Sequence, residues 1–377
     1  MRILLSIHHR LDRNSGAAGV VMRLSEEFAA LGHEVRVASF DDMPGNLPQI
    51  ARRILYPFVL GRIARRWQPD VIDASSGDAW WYYAGCRSGR LMLRITHSHG
   101  LEHLSSAVEI EEGARAGRRP GSIKRLFRHG LRLRLVARSF RKADLCFVLN
   151  DSEAAFLRDG FGIEASRICC IRLGSDHAGR KGSSKFIGEA RRIVQIGAFT
   201  IRKGIEHTVP AMSEVLRRRP DASMLFVGTG TGRAQVVNRF PVDVRHRIRV
   251  IPSYDNSRLP QLIDGAAICL MPSLFEGYGI AKIEAMACGV VPITSDDPGS
   301  ATDIADGVDG LVIPRGRTEP LRDAVLDLLD DHERRRAMAV RARAKAAEFS
   351  WSKAARHRAG LYETALAELR GGVIPVA

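Results

Sequence analysis

Apolar positions along the chain follow two alternating spacings, and each spacing predicts an element. Residues 3–7 are apolar except for Ser6, a strand-length run. After the loop Asn14-Ser15-Gly16-Ala17-Ala18-Gly19, the positions Val20, Leu24, Phe28 and Leu31 recur at helical spacing. Gly32 ends that helix, and 35–40 predicts the next strand. Strand, helix and strand in this order form a βαβ unit, which requires a parallel sheet. Further strands are predicted at 71–73, 91–95 and 145–149. Residues 177–185 have almost nothing apolar to bury and predict a linker. Beyond it the alternation restarts, with strands at 193–196, 224–227, 248–251, 266–271, 290–294 and 311–313. Helices are predicted at 204–218, 318–330 and 332–348, and a last one follows Trp351 to about 370. The pattern therefore predicts an α/β protein with two Rossmann-like, doubly wound domains.

Composition changes this picture little. The chain has 377 residues, 45% of them apolar and 26% charged, enough for two domains with ordinary cores. Cysteines at 86, 146, 169, 170, 269 and 288 show neither zinc nor redox spacing, so buried, reduced thiols are expected. The first residues lack the apolar length of a signal peptide, and the longest apolar runs are too short to cross a membrane. A cytoplasmic protein is expected, peripheral at the inner face of a membrane if it binds lipid.

Charge adds a question about partners. A net charge of +15 calls for an acidic partner: nucleic acid, an anionic membrane surface or a phosphate-bearing substrate. Residues 115–142 hold eleven Lys or Arg and no Asp or Glu. Ile123, Leu126, Phe127, Leu131, Leu135 and Val136 lie among them. This reads as an amphipathic helix suited to an anionic membrane, or as a solvated helix with its apolar side in the core. No aromatic–basic recognition motif accompanies it, so nucleic acid is not the expected partner.

Ligands of open α/β sheets bind beyond the carboxyl ends of strands, so the loops after strands carry the candidate chemistry. After 266–271, Pro272 breaks the strand, and Gly277 and Gly279 allow a ligand close to the backbone. A helix then runs to Cys288 and stops at Gly289. Its free N–H groups suit an anion. Seven residues separate Glu276 from Glu284. Carboxylates beside an anion site make sense as acceptors for hydroxyls, one on a sugar and one on a ribose, with amides holding the phosphates. A second loop, 197–204, places Arg202 and Lys203 beside Gly204 at the start of a helix, which suits a diphosphate.

The stretch from Glu276 through Glu284 to Ala285-Met286-Ala287-Cys288-Gly289, followed by a Val-Pro strand, resembles the signature of glycosyltransferase family 4. Asp303-Ile304 and Asp309-Gly310-Leu311-Val312 resemble the turn and strand that follow it there. The resemblance spans nearly the whole chain and is strongest from 190 to 315. It implies the GT-B fold, two Rossmann-like domains facing a central cleft. The acceptor domain would be 1–177 and the donor domain 178–351, with the terminal helix 352–377 packing back on the first. It further implies a retaining transferase that uses a nucleotide diphosphate sugar, UDP- or GDP-linked, with a glycan or lipid-linked acceptor. No cofactor and no metal are expected, because Arg202, Lys203 and helix N-termini would neutralise the leaving diphosphate.

Carried over residue by residue, Glu276 contacts the donor sugar and Glu284 the ribose, while Gly277, Tyr278, Gly279 and Ile280 present amides to the diphosphate. Lys203-Gly204 matches the family's Lys-Gly. Ala198 stands where many members have Arg, and Arg202 would supply that charge. Gly16 resembles the glycine of the family's first loop, close to the donor diphosphate or the acceptor. His99, before Gly100, resembles a polar contact to the donor sugar near the reacting carbon. His97 and His103 are then structural or face the acceptor. The other reading of this segment, a zinc site on His99 and His103, would need helix where Gly100 favours loop.

Three further stretches are less specific. Ser253 and Tyr254 follow a strand and are candidates for the base. The glycines after Val227 lack the third Gly of a dinucleotide fingerprint, since Arg233 stands there. Arg172-Leu173-Gly174-Ser175-Asp176 resembles the family's Asn-Gly-Val-Asp turn, with Leu for Asn, and Trp80-Trp81-Tyr82-Tyr83 suits an acceptor sugar or the core. Two rivals stay in view: a basic nucleic-acid-binding protein, and a GT-B epimerase or inactive binder.

Overall fold

The computed structural model describes residues 1–85, 91–115, 130–179 and 191–371. Contacts divide the chain into two units, Met1–Leu173 with Trp351–Ala377, and Gly174–Ser350. The division falls at 173/174, where sequence reading put 177/178. The reason is local: the Ser175 amide donates to the Phe349 carbonyl, which ties the turn at 174–176 to the end of the second unit. Of the expected linker, 180–185 lies outside the described residues.

The first unit is built on six parallel strands, β1 (Arg2–Ser6), β2 (Glu34–Ala38), β3 (Val71–Ser75), β4 (Leu93–His97), β5 (Leu145–Val148) and β6 (Ile168–Cys170). Their order is β2-β1-β3-β4-β5-β6. Strands β3, β4 and β5 are buried along their whole length, as a sheet covered on both faces requires. Strand β4 lies two residues beyond the expected 91–95, because Thr96 and His97 continue the ladder against Ala74 and Ser75. The helices are α1 (Gly16–Ala30), α2 (Gln49–Trp67), α3 (Trp80–Gly85), α4 (Glu102–Arg115), α5 (Arg132–Lys142) and α6 (Asp151–Phe161). The C-terminal helix Trp351–Arg370 belongs to this unit and packs on α1. Its Tyr362 ring lies 5.5 Å from Phe28 and stacks on Phe147 at 6.0 Å.

The second unit repeats the plan with β7 (Arg192–Ile196), β8 (Ser223–Val227), β9 (Ile248–Ile251), β10 (Ala266–Met271), β11 (Val291–Ser295) and β12 (Leu311–Ile313). Their order, β12-β11-β10-β7-β8-β9, reverses between β7 and β10. That reversal is the topological switch point, where the loops after the two strands diverge and leave a crevice. Around the sheet stand α7 (Ile205–Arg218), α8 (Arg233–Val237), α9 (Leu259–Leu262), α10 (Ile280–Ala287), α11 (Pro298–Ala301), α12 (Thr318–Asp330) and α13 (His332–Ala346).

Where the basic segment is described, the structure decides between its two readings, and it corrects the expectation for the cysteines. Of the basic segment 115–142, residues 116–129 lie outside the described residues. In the part described, Val136, Ala137 and Phe140 of α5 are buried in the first unit's core, so α5 turns its apolar side inward. The cysteines are not uniformly buried. Cys146 and Cys269 are, Cys169 and Cys288 are partly so, and Cys170 is exposed at the end of edge strand β6; Cys86 lies outside the described residues. No described helix is long and apolar enough to cross a membrane.

Candidate functional site

In the second unit the loops after β7 and β10 meet at the switch point. Gly204 makes this possible. Its φ of +75° is the left-handed turn that glycine favours, and a Cβ there would lie 1.9 Å from the Pro272 carbonyl. The Leu274 amide donates to the Arg202 carbonyl at 2.8 Å and fixes one loop on the other. Lys203 Nζ therefore sits 2.6 Å from Glu276 Oε1, and Arg202 Nη1 lies 3.2 Å from the same oxygen. Arg202 also donates to the Phe275 carbonyl at 3.0 Å, and Ser273 Oγ to Glu276 Oε1 at 3.3 Å. Burial alone would raise the Glu276 carboxyl. Lys203, Arg202 and these hydrogen bonds outweigh it and hold the group below its ordinary value, ionised.

Behind Glu276 the loop is pinned through its backbone. The Glu276 amide donates to Asp297 Oδ2 at 3.0 Å, and that oxygen also accepts from the Ser300 amide and hydroxyl. Gly299 packs so closely that a Cβ would lie 1.9 Å from the Glu276 carbonyl. Lys282 of α10, fully buried, donates to the carbonyls of Tyr278 and Gly299 at 2.8 Å and of Ser300 at 2.9 Å. Three acceptors match the three donors of an ammonium, while burial pushes Lys282 down to about 7. Gly277, Tyr278 and Gly279 are buried, and the Tyr278 hydroxyl donates to Asp303 at 2.8 Å, which holds that side chain within the unit. Gly279, at φ +70°, caps α10, and Ile280 opens it. The first N–H groups of a helix lack intrahelical acceptors, which makes its start suited to an anion.

One helical turn further, Glu284 is 7% exposed and accepts from Asn256 Nδ2 at 2.9 Å. Burial and the nearby Glu284 raise the Tyr254 hydroxyl. The Tyr254 ring fits only because residue 228 is glycine, whose Cβ would lie 2.8 Å from it. Ser253 is exposed. The structure thus brings Arg202, Lys203, Glu276 and the 277–280 backbone together, with Glu284 and Tyr254 near each other. Sequence reading missed Lys282, Asp297, Gly299 and Asn256. The first three act on backbone atoms, which no spacing of residue types signals; an N-cap Asp before Pro298 was the one visible cue.

The first unit gathers its own cluster at the ends of β3 and β4. His97, buried, pairs through Nδ1 with Asp73, which Arg358 and Tyr362 of the C-terminal helix also contact. Burial alone would raise Asp73, but His97 and Arg358 hold it below its ordinary value. His99 Nε2 lies 3.0 Å from Ser75 Oγ and 2.9 Å from His97 Nε2. Burial, with His97 and His8 nearby, holds His99 well below the ordinary histidine value, so its ring is neutral at pH 7. His97 is held in the interior by Asp73, and His103 of α4 packs edge-on against Phe161 at 4.8 Å. Gly16 opens α1, and a Cβ there would meet nothing within 4 Å; Gly19 is more crowded, since a Cβ on it would lie 2.6 Å from the Arg13 carbonyl. Among the described residues no group of three His, Cys, Asp or Glu is placed to hold a metal ion.

Two Rossmann-like units in one chain, one with paired cations and carboxylates at a helix start on its switch point, define the GT-B class. Solved structures agree on the fold. Sucrose-phosphate synthase from Thermosynechococcus elongatus superposes with a TM-score of 0.78 at 19% identity, over 97% of this chain and 99% of that one. HepE from Anabaena, solved in complex with UDP-glucose, gives 0.70 at 17% identity, over 97% and 100%. The chain belongs to glycosyltransferase family 4: the profile of that name matches residues 14–178, and the profile for glycosyl transferases group 1 matches 180–345. Among curated relatives, D-inositol 3-phosphate glycosyltransferase of Nocardia farcinica is 28% identical over 61% of this chain and 54% of that protein. The chain spans about half the length of the curated relatives it matches first.

Proposed function

We propose that this chain transfers a glycosyl group from a nucleoside diphosphate sugar, UDP- or GDP-linked, to a glycan or lipid-linked acceptor, with retention of anomeric configuration. The observation that carries the reading is the convergence of Lys203 and Arg202 on Glu276 beside the start of α10. A carboxylate held ionised accepts hydrogen bonds from sugar hydroxyls. Two cations and a row of helix-start amides suit a pyrophosphate leaving group. In this reading Glu284 receives the ribose hydroxyls, Tyr254 and Ser253 lie toward the base, and His99, neutral, meets the sugar. Gly16 leaves open space at the start of α1 for a diphosphate or acceptor. The cations supply the charge that a divalent ion supplies elsewhere, so transfer proceeds without metal. Glu276 is committed to Lys203 and Arg202, which favours departure and attack on one face over a carboxylate nucleophile. The family membership and the solved complex of HepE with UDP-glucose support the donor class.

A thermal-shift screen of UDP-, GDP-, ADP- and dTDP-sugars tests the donor. One of them should raise the melting midpoint, and a complex with it should place the pyrophosphate against 202–204 and 277–280. A ligand bound elsewhere in that complex overturns the reading. Loss of all activity in EDTA, restored by a divalent ion, overturns metal independence, and an inverted product by NMR overturns retention.

A further inference from the structure

Helix α2 shows an outward face that is unusual for a helix covering a sheet. Tyr56, Leu60, Ile63 and Ala64 point inward and are buried. Outward stand Ile50, 65% exposed, Ile54, 48%, Leu55, 43%, and Phe58, 40%. Ile50, Ile54 and Phe58 are spaced four apart, so they form one ridge along the first turns. These nine positions hold four of the twelve large hydrophobics exposed in the described residues. Scattered exposed apolar residues need no explanation, whereas a contiguous patch does.

The ridge continues into aromatic rings. Phe58 lies 4.8 Å from Trp81 and 6.3 Å from Trp80, both half-buried on α3. Cations border it. Arg65 stands over Trp81 at 5.0 Å and Arg138 of α5 over Trp80 at 5.9 Å. Arg62, Arg65 and Arg66 are exposed in the last turns of α2, and neither α2 nor α5 contains an acidic residue. Apolar ridge, tryptophans and arginines in sequence match the layers of an anionic bilayer surface, from acyl boundary to headgroup phosphate. A second copy of this chain fits the same face poorly, because it would set arginine against arginine.

We propose that this face of α2, with Trp80 and Trp81, docks the chain on an anionic lipid surface. Ile50, Ile54 and Phe58 enter the boundary between headgroups and acyl chains, and Arg62, Arg65 and Arg138 pair with lipid phosphates. The assignment deepens the reading of a lipid-linked acceptor by naming the surface that meets the membrane, yet its test involves no sugar transfer.

The test is sedimentation of the full chain with vesicles of phosphatidylcholine alone or with a minority of phosphatidylglycerol. The chain should bind the second kind only, with affinity falling as salt rises. The double variant Ile54→Gln, Phe58→Ser should bind on the order of tenfold more weakly. Arg62→Gln and Arg65→Gln should each lose roughly fivefold. All three should keep the wild-type circular dichroism and donor-induced thermal shift. Binding of the double variant equal to wild type overturns the proposal, as does binding indifferent to phosphatidylglycerol. Self-association that the double variant abolishes would assign the face to a second copy instead. Vesicle binding without any donor shift in the wild type would sink the transfer reading and leave this one standing.

Discussion

Glu276 carries two opposite pressures, burial and the cations beside it, and the cations win. Lys203 is the nearer partner and the less exposed one, so its removal should cost most. Lys203→Met is expected to lower kcat roughly 10²-fold, as loss of one preorganised charge donor does, and steady-state assays with the donor that the thermal-shift screen selects check it. Histidines give a second prediction. Burial, then His8 and Arg53, lower His9 from 6.5 to about 4. The unfolded chain therefore takes up a proton first as pH falls. Stability contributed by this residue is full above 6.5 and is lost on the way down to about 4. His99 is lowered by the same cause and acts in the same direction. Thermal midpoints across this range should fall with pH, and His9→Gln should flatten the slope. The charged residues of the site are legible in the sequence because Arg202-Lys203-Gly204 and the Glu276–Glu284 spacing are patterns of residue type. Asp73, which holds His97, is not: its partners come from β4 and from the last helix, distant in sequence.

At the scale of elements, the loop from Pro272 to Gly279 is shaped less by its own residues than by α11 and α10 behind it. Lys282 is the link between them, and Lys282→Met would leave three buried carbonyls without their donor. A loss of about 2–3 kcal/mol is expected from removing hydrogen bonds to a charged group, together with a higher KM for the donor. Chemical denaturation monitored on the second unit measures the first, and initial rates the second. Strand and helix order reads well from the sequence here, because apolar runs and helical spacing report burial directly. The basic segment reads two ways, toward a membrane or into the core, and Val136 and Phe140 of α5 take the second, while α2, with ordinary-looking composition, exposes four large apolar residues.

For the whole molecule, the repeated strand–helix alternation makes the two-unit plan visible in the sequence, while the return of the last helix to the first unit is legible through the family resemblance and not through any local pattern, because distant contacts set it. Arg358 and Tyr362 both reach the buried Asp73 of β3. Arg358→Met is expected to destabilise the first unit by about 3–5 kcal/mol, the range for breaking a buried ion pair on one side, with the second unit's transition unmoved in differential scanning calorimetry. A consequence for synthesis follows from the same helix. On the ribosome, residues 174–350 emerge with all six strands of their sheet and can close at once, whereas residues 1–173, made before them, wait for the twenty residues of that helix. Birth order and completion order are inverted, and the interval is when a nascent chain most needs a chaperone.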